Sequence, residues 1–181
     1  ADASDVAFRI IPRITVTAPN TAVSWGAGST RTVSWTHNLG TSEPVDIAFS
    51  ADGGASWTTV AAAGASTTAT TGTASVVLPA TPTSAGVIRV SQSSDPVHFD
   101  VSDVSLTLAP PTITVTAPNS NVNWTVGSAR NITWSHNLGN AERVTIELSR
   151  DGGASWEPLA AGVLNSGNTL GTWPWTVSGP T

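Results

Sequence analysis

The chain repeats itself. From Ile14 to Trp57 it reads ITVTAPNTAVSWGAGSTRTVSWTHNLGTSEPVDIAFSADGGASW. From Ile113 to Trp156 it reads ITVTAPNSNVNWTVGSARNITWSHNLGNAERVTIELSRDGGASW. The two align without a gap, and roughly three-fifths of their positions are identical. A period of about 100 residues is too long for a solenoid repeat and matches one small β domain. Two domains that diverged from one ancestor are the simplest source of such a pattern.

Alternation of apolar and polar residues with period two recurs within each copy. RITVTA and TITVTA read as first strands, and TRTVSWTH and ARNITWSH as second strands. VDIAFS and VTIELS read as third strands, with Val45, Ile47 and Phe49, and Val144, Ile146 and Leu148, facing inward. SWTTVAA, ASVVLPA, GVIRVSQ and VSLTLA supply the remaining strands of the first copy. About seven short strands in about 100 residues, with no useful helical periodicity, predict an all-β fold of two tandem immunoglobulin-like β-sandwiches. The Ala109-Pro110-Pro111 linker has no flexible Gly/Ser run, so a short, stiff connection is expected.

The ends do not match the repeat. Asp2 to Pro12 (DASDVAFRIIP) is similar to Asp100 to Pro110 (DVSDVSLTLAP), which closes the first copy. GTWPWTVSGPT corresponds to GTASVVLPATPT, after which the first copy continues and the second does not. The expected organisation is a spare strand at residues 1–12, a first domain at 13–110, and an incomplete second domain at 111–181 that lacks its last two strands. Two explanations stand. The sequence is a window on a longer tandem array, or residues 1–12 donate a strand to the open domain of a neighbour through Val6, Phe8 and Ile10. One donated strand would not replace two missing ones.

Composition narrows the function. There is no Cys, which excludes disulfides and thiolate metal sites. A net charge of -5, with every basic residue an Arg, argues against a nucleic-acid partner. No apolar run approaches the roughly 18 residues of a membrane-spanning helix. A Thr-, Ser-, Ala-, Val- and Gly-rich chain with only 10% charged residues suits an extracellular module better than a cytosolic enzyme.

Ser50, Asp52, Gly53, Gly54 and Trp57, and their copies Ser149, Asp151, Gly152, Gly153 and Trp156, spell S-x-D-G-G-x-S-W twice. The motif resembles the Asp-box of sialidases and related β-propeller proteins, where it is a hairpin turn remote from the active site. The local chemistry agrees: Asp can accept from following backbone N–H groups, Gly can take positive φ, and Trp can cover the turn. A propeller would need a repeat of about 40 to 50 residues, which is lacking here. More widely, the order W-x-x-G-S-x-R-x-V/I-x-W, the Asp-box-like turn, V-I-R-V and F-D-V-S-D-V-x-L-T-L resembles Ig-like (fibronectin-type) accessory modules of bacterial secreted proteins, which often follow extracellular metallopeptidases. That resemblance implies a secreted or cell-surface accessory role and no catalytic residues. GNTLGTWPWTV also resembles the end of a Ser/Thr-rich domain of fungal cell-wall glucan-assembly proteins.

Residues that could carry chemistry are few. Asp100 and Asp103 could offer oxygens to Ca²⁺, as could Asp2 and Asp5, but the rest of a six- to eight-oxygen shell is not visible. Capping of a turn is the expectation for them. His37 and His136 recur in T/S-H-N-L-G and read as hydrogen-bonded loop histidines. Trp35 and Trp134 are in phase with core positions, whereas Trp173 and Trp175 occur only in the second copy, around Pro174. Pro there predicts an edge or irregular strand, and these two are the candidates for a carbohydrate platform. N-x-T sequons at Asn123 and Asn131 match the glycosylation pattern, which a Thr-rich chain meets by chance.

The expectation is a non-enzymatic structural or adhesive module with no cofactor, extracellular or at the cell surface. Its partners would be further copies or neighbouring repeats of the same chain, assembling into a fibre by β-strand complementation. The alternative is a carbohydrate-binding accessory module of a secreted hydrolase or metallopeptidase, with polysaccharide as partner. A third reading is a fragment of such a hydrolase whose catalytic domain lies elsewhere.

Overall fold

The structure, a computed structural model, describes residues 14–65 and 68–179. Val6, Phe8, Ile10 and the 1–12 segment lie outside the described residues, as do Asp2 and Asp5. The fold is all-β, as predicted, with no helix among the described residues. Strands β1 (Ile14–Ala18), β2 (Ser24–Gly26), β3 (Thr30–His37), β4 (Pro44–Ser50) and β5 (Thr58–Ala65) open the first repeat. It continues with β6 (Thr71–Val77), β7 (Thr83–Gln92), β8 (Phe99–Val101) and β9 (Leu106–Ala109). The second repeat holds β10 (Ile113–Ala117), β11 (Ala129–His136), β12 (Arg143–Leu148), β13 (Glu157–Leu164) and β14 (Leu170–Thr176).

The chain packs as two compact units. Among the described residues, the first comprises 14–22, 32–65, 68–76 and 85–105. In it β1, β3 and β6 form one sheet in that order, and β7, β4 and β5 another, with β8 beside β7. Period-two alternation sends one set of side chains from each sheet into a common core. Ile14, Val16, Val33 and Trp35 come from the first sheet, and Val45, Ile47, Phe49, Ile88 and Val90 from the second, all essentially buried. Trp35 lies flat on Gly72 of β6, where any side chain would collide with its indole.

Among the described residues, the second unit comprises 23–31, 77–84 and 106–179. Here β10, β11 and β14 form a sheet in that order, β12 and β13 pair as a hairpin, and β2 and β9 pair in parallel. The registers copy those of the first unit. Ile14 faces His37 and Val16 faces Trp35, just as Ile113 faces His136 and Val115 faces Trp134. The β4–β5 and β12–β13 hairpins also share one register, irregularities included.

The short strands β2 and β8 were not expected from the sequence. Three-residue strands carry too little alternation to read, and they exist because a partner is there. Ser24–Gly26 is a strand because Thr107, Leu108 and Ala109 lie beside it. The corresponding residues 123–125 form no strand and have no ladder partner among the described residues.

Asn137 organises a loop of the second unit. Its backbone O accepts from Gly26 N (2.8 Å) and from the buried Arg31 guanidinium. Its side chain accepts from Thr112 N (2.9 Å) and donates to Pro110 O (2.9 Å). Burial pushes the Arg31 pKa down, and nearby Glu142 pulls it back up.

Candidate functional site

The two Gly-Gly turns are closed by their own side chains. Ser50 Oγ donates to Asp52 Oδ1 (2.6 Å) and accepts from Gly54 N (2.8 Å). Asp52 Oδ1 accepts from Ser56 N (2.8 Å), and Oδ2 from Ser56 Oγ (2.6 Å). Ser149, Asp151, Gly153 and Ser155 repeat this pattern at 2.5 to 2.9 Å. Gly53, Gly54, Gly152 and Gly153 all have positive φ, between 71° and 100°, a conformation that strains other residues. The hydrogen bonds to the ionised form hold both carboxyls at about 2, against an ordinary 3.8. For Asp52 the Ser50 hydroxyl contributes most, then Ser56; for Asp151 it is Ser155, then Ser149. The carboxylate oxygens are therefore occupied within the turn.

The other sequence candidates also meet partners. Asp100 Oδ2 accepts from Val16 N (2.8 Å). Asp103 Oδ2 accepts from Asn20 Nδ2 (2.7 Å) while its N–H donates to Asn20 Oδ1 (2.7 Å). This reciprocal pair ties the turn after β1 to the turn after β8. His37 and His136 are buried, and each ring Nδ1 accepts from the backbone N–H two residues on (3.2 Å). No group of three or more metal-ligating side chains occurs among the described residues.

The distinctive surface belongs to the second repeat. Ile113 and Val115 are 53% and 51% exposed, whereas their copies Ile14 and Val16 are 2% and 1% exposed. Between the β10–β11–β14 sheet and the β12–β13 hairpin lies an open groove of about 640 Å³. Ile113, Val115, Ile132, Trp134, Ile146, Leu148, Trp156 and Trp175 are among the residues that line it. Apart from Trp156, which precedes β13, these are inward positions of the strands, so among the described residues the groove is the interior of a sandwich without a covering strand on this side. Among the described residues β12 pairs with β13 alone, while β4 pairs with both β5 and β7.

Trp173 and Trp175 fall on β14, which among the described residues pairs only with β11 and forms the sheet edge around Pro174. In register, Trp173 faces Ile132 and Trp175 faces Arg130. They stand where the first repeat has Ala74 and the core residue Val76. Trp175 packs against Trp124 with ring centres 6.1 Å apart and planes tilted by 57°. Both tryptophans are half-buried.

Two residues here escaped the sequence reading. Asn165 is buried; its Oδ1 accepts from Trp134 Nε1 (2.9 Å) and its Nδ2 donates to Gly139 O (2.8 Å). It sits in a polar N-S-G-N run that reads as loop. Glu147 borders the groove. Its signal was available in the repeat alignment, which sets this carboxylate against the buried Ala48.

No family model and no curated protein matches the chain. Among solved structures it is similar to the fibronectin(III)-like modules of Clostridium thermocellum CbhA, at 18% identity over 91% of this chain and 78% of that one. The TM-score is 0.28.

Proposed function

We propose that the chain is a non-enzymatic structural module of an extracellular or cell-surface protein, built of tandem Ig-like domains at 13–110 and 111–181. It assembles into a fibre through β-strand complementation. The observation that carries this reading is the exposed inner face of the second repeat, bordered by the open edge of β12. An apolar interior beside unpaired backbone groups favours addition of a strand. Fully covering a Val or Ile contributes about 1.5–3 kcal/mol, so closing over Ile113 and Val115 supplies a useful share of an association energy. The test is the mass of the chain against concentration, by light scattering and electron microscopy. Growing oligomers that disappear when Ala1 to Ile11 are deleted support the reading; a strict monomer rejects it.

Trp156 and Trp175 on the groove favour one alternative, a carbohydrate-binding accessory module, because aromatic faces stack on sugar rings. Retardation on a polysaccharide gel that is lost in Trp175→Ala and Trp173→Ala would establish it.

A further inference from the structure

The geometry points to a recognition site for an arginine-bearing strand along the open edge of β12, filled by residues Val6 to Ile10 of a second copy of the chain. This rests on the complementation reading and specifies its lock.

The first repeat displays the occupied form. Strand β7 runs antiparallel along β4, with Ile88 opposite Phe49, Arg89 opposite Ala48, and Val90 opposite Ile47. Ile88 and Val90 are wholly buried in the core. Arg89, between them, points to the other face, where its guanidinium lies 4.5 Å from the centre of the Trp57 ring. Trp57 is thereby partly covered.

Among the described residues, the second repeat presents the same surface without the strand. Leu148, Glu147 and Ile146 stand where Phe49, Ala48 and Ile47 do. Trp156, the counterpart of Trp57, is 60% exposed. The change from Ala48 to Glu147 is the informative one. A strand in the β7 register brings its arginine directly opposite Glu147, so the site offers a carboxylate and an indole face to one guanidinium. Cross-strand ion pairs and cation–π stacking both favour that arrangement.

Val-Ala-Phe-Arg-Ile at residues 6–10 has the required pattern. Phe8 and Ile10 flank Arg9 as Ile88 and Val90 flank Arg89. In the β7 register Phe8 meets Leu148, Arg9 meets Glu147 and Ile10 meets Ile146. Pro12, which cannot donate to a ladder, falls at the strand end, opposite Val144. The segment also aligns with Leu106-Thr107-Leu108 of β9, but that strand has Thr where the segment has Arg. Arginine therefore assigns it to the β7 place, and one strand suffices to cover the β12 edge.

A charge exchange tests this in the full chain. Arg9→Glu and Glu147→Arg each set like charges opposite one another and should weaken self-association at least roughly tenfold, read by analytical ultracentrifugation. Mixing the two variants restores opposite charges at every junction and should return association to near the wild-type level. Trp156→Leu should weaken it without being rescued by either partner. If wild type and both variants associate equally, and deletion of Ala1 to Ile11 abolishes association, complementation stands and the β12 arginine lock is wrong. If the deletion variant also associates equally, or wild type stays monomeric because another segment or a polysaccharide covers the groove, both fall.

Discussion

The Trp134 indole lies directly on the backbone of Gly171. A Cβ at that glycine would fall 2.0 Å from the ring, and one at Gly72 would fall 2.2 Å from the Trp35 ring. Each repeat thus spends a glycine in its third sheet strand to let a tryptophan lie flat across the core.

Gly72→Ala and Gly171→Ala should both destabilise, because the ring must move or the strand must bend. Overpacking of this kind costs about 1–3 kcal/mol. Gly72→Ala should be the costlier, since Trp35 is enclosed in a complete core while Trp134 has an open groove beside it. Urea denaturation of the two single variants measures the order; the reverse order would contradict the open interior.

Asn165→Leu removes the only acceptor described for the Trp134 indole N–H and leaves it buried. An unpaired buried donor costs about 1–3 kcal/mol. The expected result is a lower denaturation midpoint together with a shift in tryptophan emission. Unchanged stability would mean that the indole finds another acceptor at no cost.

The two turn carboxylates make acid stability measurable. Asp52 and Asp151 titrate at about 2 in the folded chain and near 3.8 when unfolded. Below 3.8 the unfolded chain takes up protons that the folded chain refuses. Their stabilising contribution is therefore complete above that pH and is lost as pH falls from 3.8 through about 2. Melting temperature against pH should drop across this window in wild type and less in an Asp52→Asn, Asp151→Asn double variant.

The carboxylates of Asp100 and Asp103 already serve Val16 N and Asn20. Added Ca²⁺ or a chelator should leave the melting temperature unchanged. Asp100→Ala should lower stability by about 1.5–3 kcal/mol, the range for a hydrogen bond to a charged group. Stabilisation by millimolar Ca²⁺ that Asp100→Ala removes would instead establish a cation site.

Most of the strands were legible because their alternation is local. The Gly-Gly turns were legible for the same reason, since Ser, Asp and Gly carry their geometry within eight residues. Burial was only half legible. Ile14 and Ile113 occupy the same motif and register, yet one is in a core and the other is half in solvent. What separates them is the presence of distant strands, which a local pattern does not encode. Asn165 was hidden for a related reason: its partners, Trp134 and Gly139, are remote in sequence. The change from Ala48 to Glu147 was visible in the repeat alignment, but what it faces follows only from the pairing of β4 with β7.

The shared register of the β4–β5 and β12–β13 hairpins bears on how the chain is made. Strand β7 has two near-equivalent edges on which it can land, and only one belongs to its own repeat. During synthesis β7 leaves the ribosome before β12 exists, so it reaches β4 without competition. Released from denaturant, the whole chain offers both edges at once. A denatured preparation should therefore recover fewer correctly paired molecules than newly made chains do, and the shortfall should grow with protein concentration.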